Sequence, residues 1–144
     1  MKFKSFKGLI FLIIVSLTLF SSCSAENNVS ATTTQNSTIN SIGYEQITGE
    51  EAKKLMDTET DYIIIDARTT EEFNEGHIES AILIPEYEIK ERAEKELPDK
   101  KQLILVYCRS GRRSKIAAQA LADMGYNNVK EFGGIIDWQY EIVK

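Results

Sequence analysis

The sequence predicts a single α/β domain built on a mainly parallel sheet with helices on both faces. Residues 62–65 and 103–107 form continuous apolar runs, which are typical of strands covered on both faces. Helical patterns lie between the predicted strands, and strands that alternate with helices indicate parallel pairing. Residues 42–144 carry this pattern, and a segment of that length is the size of one ordinary domain.

Local signals predict the elements in the first half of this domain. Thr48 and Glu51 have the spacing of a capping box, which predicts a short helix that runs to about Asp57. After the 62–65 strand, residues 70–75 predict one or two helical turns. A short apolar run then predicts a second strand, over residues 81–84.

The second half of the domain continues the alternation. Residues 86–97 carry apolar side chains at helical spacing, which predicts a helix before the 103–107 strand. An alanine-rich helix is expected over 114–124, where Gly125 is placed to end it. The remaining predictions are a strand and then a last helix, over residues 129–132 and 135–142.

The composition excludes several classes of function. The chain has 17 Lys+Arg and 22 Asp+Glu, a net charge of −5, and nucleic-acid and anionic-membrane binders need a basic surface. Cys23 and Cys108 are the two cysteines and cannot form a disulfide framework, and the single histidine, His77, cannot form a zinc-binding cluster. We therefore expect no nucleic-acid partner, no metal and no cofactor.

The N-terminus resembles a bacterial lipoprotein signal. Basic residues 2–7 precede an apolar run over 8–20, which is shorter than the about 20 residues of a bilayer-spanning helix. The residues before Cys23 resemble a lipobox, although Phe20 stands where leucine is usual. We expect cleavage before Cys23, lipidation of its sulfur, and a protein anchored by lipid outside the cytoplasm, on the bacterial cell membrane. A plain cleaved signal and an uncleaved anchor are the alternatives.

The segment after Cys23 predicts a flexible tether. Thirteen of the eighteen residues 24–41 are Ser, Thr, Asn or Gln, and such a segment cannot bury enough apolar surface to fold. The predicted organisation is therefore a signal peptide, a lipidated cysteine with its polar tether, and a folded domain, over residues 1–22, 23–41 and 42–144.

The most informative segment is VYCRSGRRS, residues 106–114, which joins the clearest strand to the start of a helix. Ligands bind at the carboxyl ends of strands in open α/β sheets, where loop N–H groups and a helix N-terminus favour anions. The same field and the nearby Arg109, Arg112 and Arg113 are expected to lower the pKa of Cys108. We therefore predict a reactive thiolate rather than a structural cysteine.

Three motifs in this order resemble the rhodanese family of sulfurtransferases. The loop from Cys108 to Arg113 resembles the active-site loop of that family, and Asp66-Ala-Arg68 with residues 72–81 resembles its upstream signature. The C-terminal signature is matched by Gly133, Gly134 and Trp138. The resemblance covers nearly the whole domain and implies a single rhodanese-like fold.

The resemblance implies a ping-pong reaction at Cys108. The thiolate takes the outer sulfur of a donor such as thiosulfate, and the resulting persulfide passes it to a thiol or to cyanide. Loop N–H groups would stabilise both anionic forms of the sulfur. Binding of the anionic donor is assigned to the rest of the loop, namely Arg109, Ser110, Gly111, Arg112 and Arg113.

Related cysteine-dependent phosphatases and arsenate reductases are the nearest alternative. These phosphatases need an arginine six positions after the cysteine, where this chain has Ser114, with Arg113 one position earlier. The related rhodanese-shaped phosphatases also tend to have histidine at the position of Tyr107. The loop length therefore favours sulfur transfer.

The remaining polar residues have structural interpretations. Asp66 and Arg68 are expected to support neighbouring loops through hydrogen bonds or an ion pair, and Glu72 to pair with an arginine. His77 lies in the Gly-His-Ile signature, which is structural in the family, and Trp138 is expected to pack in the core.

No second cysteine lies in the domain, so the sulfur acceptor must come from another molecule. We also expect the protein to be a monomer. The second hypothesis is a non-enzymatic module that binds anions, carries sulfur or senses oxidants.

Overall fold

A computed structural model describes residues 43–144 of the chain, and this part contains five strands and four α-helices. The strands are β1 (Glu45–Gln46), β2 (Tyr62–Asp66), β3 (Ala81–Leu83), β4 (Leu103–Cys108) and β5 (Val129–Gly134). The helices are α1 (Gly49–Thr58), α2 (Thr70–Glu75), α3 (Ile89–Glu96) and α4 (Arg112–Asp123). Two short 3-10 turns cover Glu86–Glu88 and Ile135–Asp137.

The five strands form one parallel sheet in the order β1-β5-β4-β2-β3. The predicted α/β class with a parallel sheet is confirmed. Asp66 lies opposite Tyr107, and Cys108 lies opposite Gly134 after an irregularity in the β4–β5 register. Because parallel strands end at the same edge, the last residues of β2 and β4 lie side by side there.

Apolar side chains cover both faces of the sheet. One layer packs residues of α3 and α4 against β4, and the other packs α1 and Phe132 against it. Every residue of β4 is buried, as expected of a central strand in a two-faced sheet. Ala117 and Ala118 are fully buried on α4, and their small side chains let this helix lie close to the strand that carries Cys108.

The capping box predicted for the first helix is confirmed. The Thr48 hydroxyl accepts the N–H of Glu51 at 3.1 Å, and the Glu51 carboxylate accepts the N–H of Thr48 at 2.8 Å. An equivalent box starts α2, at Thr69 and Glu72. These reciprocal bonds satisfy N–H groups that a helix start leaves without partners.

The last predicted helix, over residues 135–142, is wrong. Only one 3-10 turn forms there. The chain after it is irregular, and Val143 pairs with His77 through two backbone hydrogen bonds of 2.8 and 2.9 Å. In the same C-terminal segment, the Trp138 ring packs against Phe132, with the ring centroids 5.7 Å apart. The pairing with His77 satisfies backbone groups that a helix would have bonded internally.

Two smaller differences concern the ends of elements. The predicted helix over 86–97 begins with the 3-10 turn and becomes α-helical at Ile89. The two-residue β1 was not predicted, because Glu45 and Gln46 are polar and exposed and give no apolar pattern. Among residues 43–144, no helix combines the length and apolar content needed to cross a membrane. The predicted signal peptide, Cys23 and the tether lie outside the described residues.

Candidate active site

The backbone around Cys108 turns sharply from the end of β4 into α4. Gly111 precedes the helix with a φ of 90°, a left-handed conformation that glycine adopts without strain. The loop lies directly on β5, because a Cβ atom added at Gly134 would be 2.3 Å from the Arg109 carbonyl oxygen. Two glycines, one on each side of the contact, therefore allow the loop to curl over its cysteine.

The sulfur of Cys108 lies within a ring of hydrogen-bond donors. The residue is only 1% exposed, and the Gly111 N–H donates to the sulfur with an N···S distance of 3.1 Å. Burial raises the pKa of this thiol, but hydrogen bonds from the Ser114 hydroxyl and from the N–H groups of Ser114, Ser110 and Gly111 lower it by more. The pKa therefore lies below the usual value of a cysteine, and the thiolate is favoured.

The three arginines of the loop have different environments. Arg113 donates to both carboxylate oxygens of Glu72, at 2.7 and 2.8 Å, and this pairing lowers the pKa of Glu72 to about 2. Glu72 in turn raises the pKa of Arg113, and the nearby Cys108 sulfur adds to this effect. Arg109 and Arg112 are exposed, and neither forms an ion pair within residues 43–144.

The loop after β2 holds a buried ion pair. Arg68 donates to both oxygens of Asp66 at 2.6 to 2.9 Å and to the carbonyl oxygen of Gly76 at 2.7 Å. The Tyr107 hydroxyl donates to Asp66 at 2.6 Å, and burial followed by the Asp66 charge raises the pKa of that hydroxyl. This cluster links the ends of β2 and β4, immediately before the Cys108 loop.

Sequence reasoning missed Ser114 and Glu131 as members of the site. Ser114 is fully buried in the first turn of α4, and its hydroxyl lies 2.6 Å from a carboxylate oxygen of Glu131. Glu131 is 2% exposed and accepts the Gly133 N–H at 2.9 Å. In the predicted 129–132 strand, Glu131 lies on the same face as the apolar Val129, and an acid at that position was the signal that could have identified it.

His77 and Trp138 take structural positions. The His77 ring stacks on Phe73 with centroids 3.7 Å apart, and its Nδ1 lies 3.1 Å from the Phe73 carbonyl oxygen. Trp138 packs between Phe132 and Tyr140. Within residues 43–144, no cluster of three or more His, Cys, Asp or Glu side chains is arranged to hold a metal ion.

The fold and the site define a class of protein in which a buried cysteine with a lowered pKa ends the central strand of a parallel sheet. Residues 48–141 match the Rhodanese-like domain family, and the chain belongs to this family.

Relatives of known name agree with this assignment. The Thiosulfate sulfurtransferase PspE of Escherichia coli is 42% identical over 73 residues, which are 51% of this chain and 70% of that protein. A Sulfurtransferase of Allochromatium vinosum is 40% identical over 88 residues, which are 60% of this chain and 79% of that protein. The solved structure of a rhodanese with anions from E. coli is 40% identical, with a TM-score of 0.55, and covers 58% of this chain and 98% of its own.

Proposed function

We propose that the protein is a sulfurtransferase that carries sulfur as a persulfide on Cys108. The observation that carries this proposal is the buried sulfur within its ring of N–H and hydroxyl donors, with a lowered pKa. Membership of the rhodanese-like family, with relatives named thiosulfate sulfurtransferase, supports the same reaction class.

In the first half-reaction, the Cys108 thiolate attacks the outer sulfur of thiosulfate. A sulfur–sulfur bond forms to Cys108 while the bond between the two thiosulfate sulfurs breaks, and sulfite leaves with that electron pair. The product is a persulfide anion. The N–H groups of Ser110, Gly111 and Ser114 converge on this position, so they favour an anionic sulfur before and after the step.

In the second half-reaction, cyanide or a thiolate attacks the terminal sulfur of the persulfide. The Cys108 sulfur leaves as a thiolate, so the enzyme returns to its first state without an added reductant when cyanide is the acceptor. Cys108 is the only cysteine among residues 43–144, so a thiol acceptor comes from another molecule.

Arg109 and Arg112 are proposed to attract the anionic donor, because both are exposed and neither forms an ion pair within residues 43–144. Arg113 is proposed to fix the loop and to add positive charge near the sulfur, since both of its terminal nitrogens are held by Glu72. This division refines the equal assignment that the sequence gives to the three arginines.

Mass spectrometry of the intact protein tests the central step. Incubation with thiosulfate should add one sulfur, about 32 Da, to the cysteine nucleophile, and cyanide should remove it as thiocyanate. Cys108→Ala should lose both changes, whereas Cys23→Ser should keep them and so serve as the matched cysteine control. Full transfer by Cys108→Ala would overturn the proposal.

A sulfur carrier without turnover is the second candidate, favoured by the lack of another cysteine within the described residues. Repeated thiocyanate release per protein molecule identifies an enzyme, whereas release of one equivalent identifies a carrier. Hydrolysis of p-nitrophenyl phosphate should be negligible. Phosphate hydrolysis that is lost in Cys108→Ser would instead identify a phosphatase.

We also propose that Cys23 is lipidated and that the protein is anchored outside the cytoplasm, on the cell membrane. The support is the order of basic, apolar and small residues before Cys23. Cys23→Ser should abolish labelling by a fatty acid and leave an uncut precursor or a released protein. Recovery of the unaltered chain entirely from the cytosol would contradict this proposal.

A further inference from the structure

Glu131 is a buried carboxyl group that the proposed sulfur transfer does not use. It lies on β5, the strand beside β4, and it is 2% exposed. Among residues 43–144, no lysine, arginine or histidine forms an ion pair with it. A buried carboxyl group without a cationic partner is costly in a fold, so its polar contacts need to offset that cost.

Those contacts lead directly to the site. Oε1 of Glu131 lies 2.6 Å from the Ser114 hydroxyl and accepts the Gly133 N–H at 2.9 Å. The same oxygen would be 3.9 Å from a Cβ atom added at Gly111, which places the carboxyl group beneath the Cys108 loop. Glu131 therefore supports the Cys108 loop from the buried interior of the domain.

The Ser114 hydroxyl has three acceptors near it and one proton to donate. It lies 2.6 Å from a carboxylate oxygen of Glu131 and 3.4 Å from the Gly133 carbonyl oxygen, and its interaction with the Cys108 sulfur is among the causes that lower the pKa of that thiol. A hydroxyl group carries a single hydrogen, so it cannot donate fully to the sulfur and to an oxygen at once. Hydrogen bonds to an ionised acceptor are roughly twice as strong as neutral ones, which makes the carboxylate a strong competitor.

We propose that Glu131 is a positioning residue that competes with the Cys108 sulfur for the single hydroxyl proton of Ser114. While Ser114 donates to Glu131, the thiolate keeps one hydrogen bond fewer and is the stronger nucleophile. Rotation of the hydroxyl about its C–O bond moves the proton towards the sulfur, and no atom or electron is gained or lost. The consequence for catalysis rests on the proposed sulfur transfer, but the competition itself does not.

The charged groups of the Cys108 loop and of its surroundings must stay constant in the test. Arg113 approaches from α4 and is held there by Glu72 of α2. Arg109 and Arg112 are exposed on the loop and at its end. None of these side chains is changed by substitutions at Ser114 or Glu131, so a difference in titration between such variants reports on this pair.

The test is a thiolate titration of the full chain carrying Cys23→Ser, so that Cys108 is its only thiol. Ultraviolet absorbance of the thiolate is followed with pH, and a Cys108→Ala sample is subtracted. Ser114→Ala should decrease the thiolate fraction below the pKa about five-fold, the effect of one lost hydrogen bond. Glu131→Gln should increase it by about the same factor, because the neutral amide competes less for the Ser114 proton.

The thiolate fraction should change in opposite directions in Ser114→Ala and Glu131→Gln. This result distinguishes competition from a merely structural role, since a loosened loop would decrease the thiolate fraction in both variants. The double variant Ser114→Ala/Glu131→Gln should match Ser114→Ala alone. If Glu131→Gln still increases the thiolate fraction when Ser114 is absent, its charge acts directly and the proposal is wrong. A decrease or no change in the single Glu131→Gln variant also overturns it.

Glu91→Gln is the matched control, because Glu91 is exposed on α3, and it should leave the titration unchanged. If Glu131→Gln fails to fold, Glu131→Asn carries the same expectation, since its shorter neutral side chain also leaves the Ser114 proton to the sulfur. The titration needs no sulfur donor. If no persulfide forms in any variant, the sulfurtransferase proposal fails while the titration still decides the role of Glu131.

Discussion

Two loops leave the same edge of the sheet from neighbouring strands, one after β2 and one after β4. The Asp66–Arg68 loop contains a buried carboxylate, and all its charge is paired within the protein, with Arg68 and the Tyr107 hydroxyl. The Cys108 loop instead directs several donors at one sulfur atom. In the first loop, every charged group already has a partner, so the loop acts as a structural support. In the second loop, several donors surround one buried sulfur atom and favour its reactive thiolate form.

The two loops differ because a paired carboxylate lies at the end of β2, whereas the N–H groups of a helix start lie at the end of β4. A paired buried carboxylate has no capacity left for a ligand, and removal of either partner leaves a costly isolated charge. N–H groups at the start of a helix carry partial positive charge and gain by binding an anion. The two loops therefore should respond differently to substitution, in stability for the first and in chemistry for the second.

The largest expected effect on stability is at Asp66. Asp66→Asn leaves the Arg68 guanidinium buried without its counter-charge, and the free energy of unfolding should fall by about 3–5 kcal/mol. Urea unfolding measures this loss. Asp137→Asn, at an exposed position, should change it by less than about 0.5 kcal/mol. Equal stability of the two variants would mean that the first loop does not depend on its ion pair.

Gly134→Ala should damage the second loop. The new Cβ would lie 2.3 Å from the Arg109 carbonyl oxygen and 2.6 Å from the Ser110 Cα, so the loop backbone must move. We expect sulfur transfer to fall at least about ten-fold, with a stability loss of about 1–3 kcal/mol. In Gly49→Ala the added atom has an ordinary 3.5 Å contact with Trp138, and this control should keep its activity. Unchanged transfer by Gly134→Ala would show that the loop tolerates a different path.

Glu72→Gln should lower the stability of the domain in a pH-dependent way, because the Glu72 carboxylate supports the Cys108 loop from a different segment of the chain. Its pKa is lowered from 4.5 to about 2, principally by the hydrogen bonds from Arg113, so the ionised form stabilises the fold. The wild-type advantage, about 1–3 kcal/mol, should be complete above pH 4.5 and should disappear as the pH falls towards 2.

Chemical denaturation at several pH values measures that advantage, and Glu71→Gln, an exposed neighbour in the same turn, is its control. An advantage that grows as the pH falls would contradict the assigned role of Glu72.

Arg112→Ala should have the smallest effect on stability, within about 0.5 kcal/mol, because the side chain is exposed. Its proposed role is to attract the donor, so the KM for thiosulfate should rise about five-fold while the rate of the cyanide half-reaction stays the same. Steady-state kinetics with each substrate varied in turn separates these effects. Lys115→Ala removes a nearby exposed charge and is the control for general electrostatic attraction.

Local signals were sufficient to predict most of the fold. The apolar runs that became β2 and β4, the Thr48 capping box and the glycine after α4 all act over a few residues, so the sequence states them directly. The same holds for the Cys108 loop, whose N–H donors, on Ser110, Gly111 and Ser114, all follow Cys108 within a short stretch of the chain. The helix expected over 135–142 failed because its competitor, pairing of Val143 with His77, involves a segment distant in the chain.

The sequence by itself determined the order of strands and helices and the position of a single cysteine at a strand–helix junction. Only the tertiary structure decided which polar groups meet there. Glu72 and Arg113 are 41 positions apart, and Ser114 and Glu131 are 17 apart, so no local pattern could specify either contact. Each depends on the crossover of helices over the sheet, which brings α2 and β5 to the two sides of the same loop.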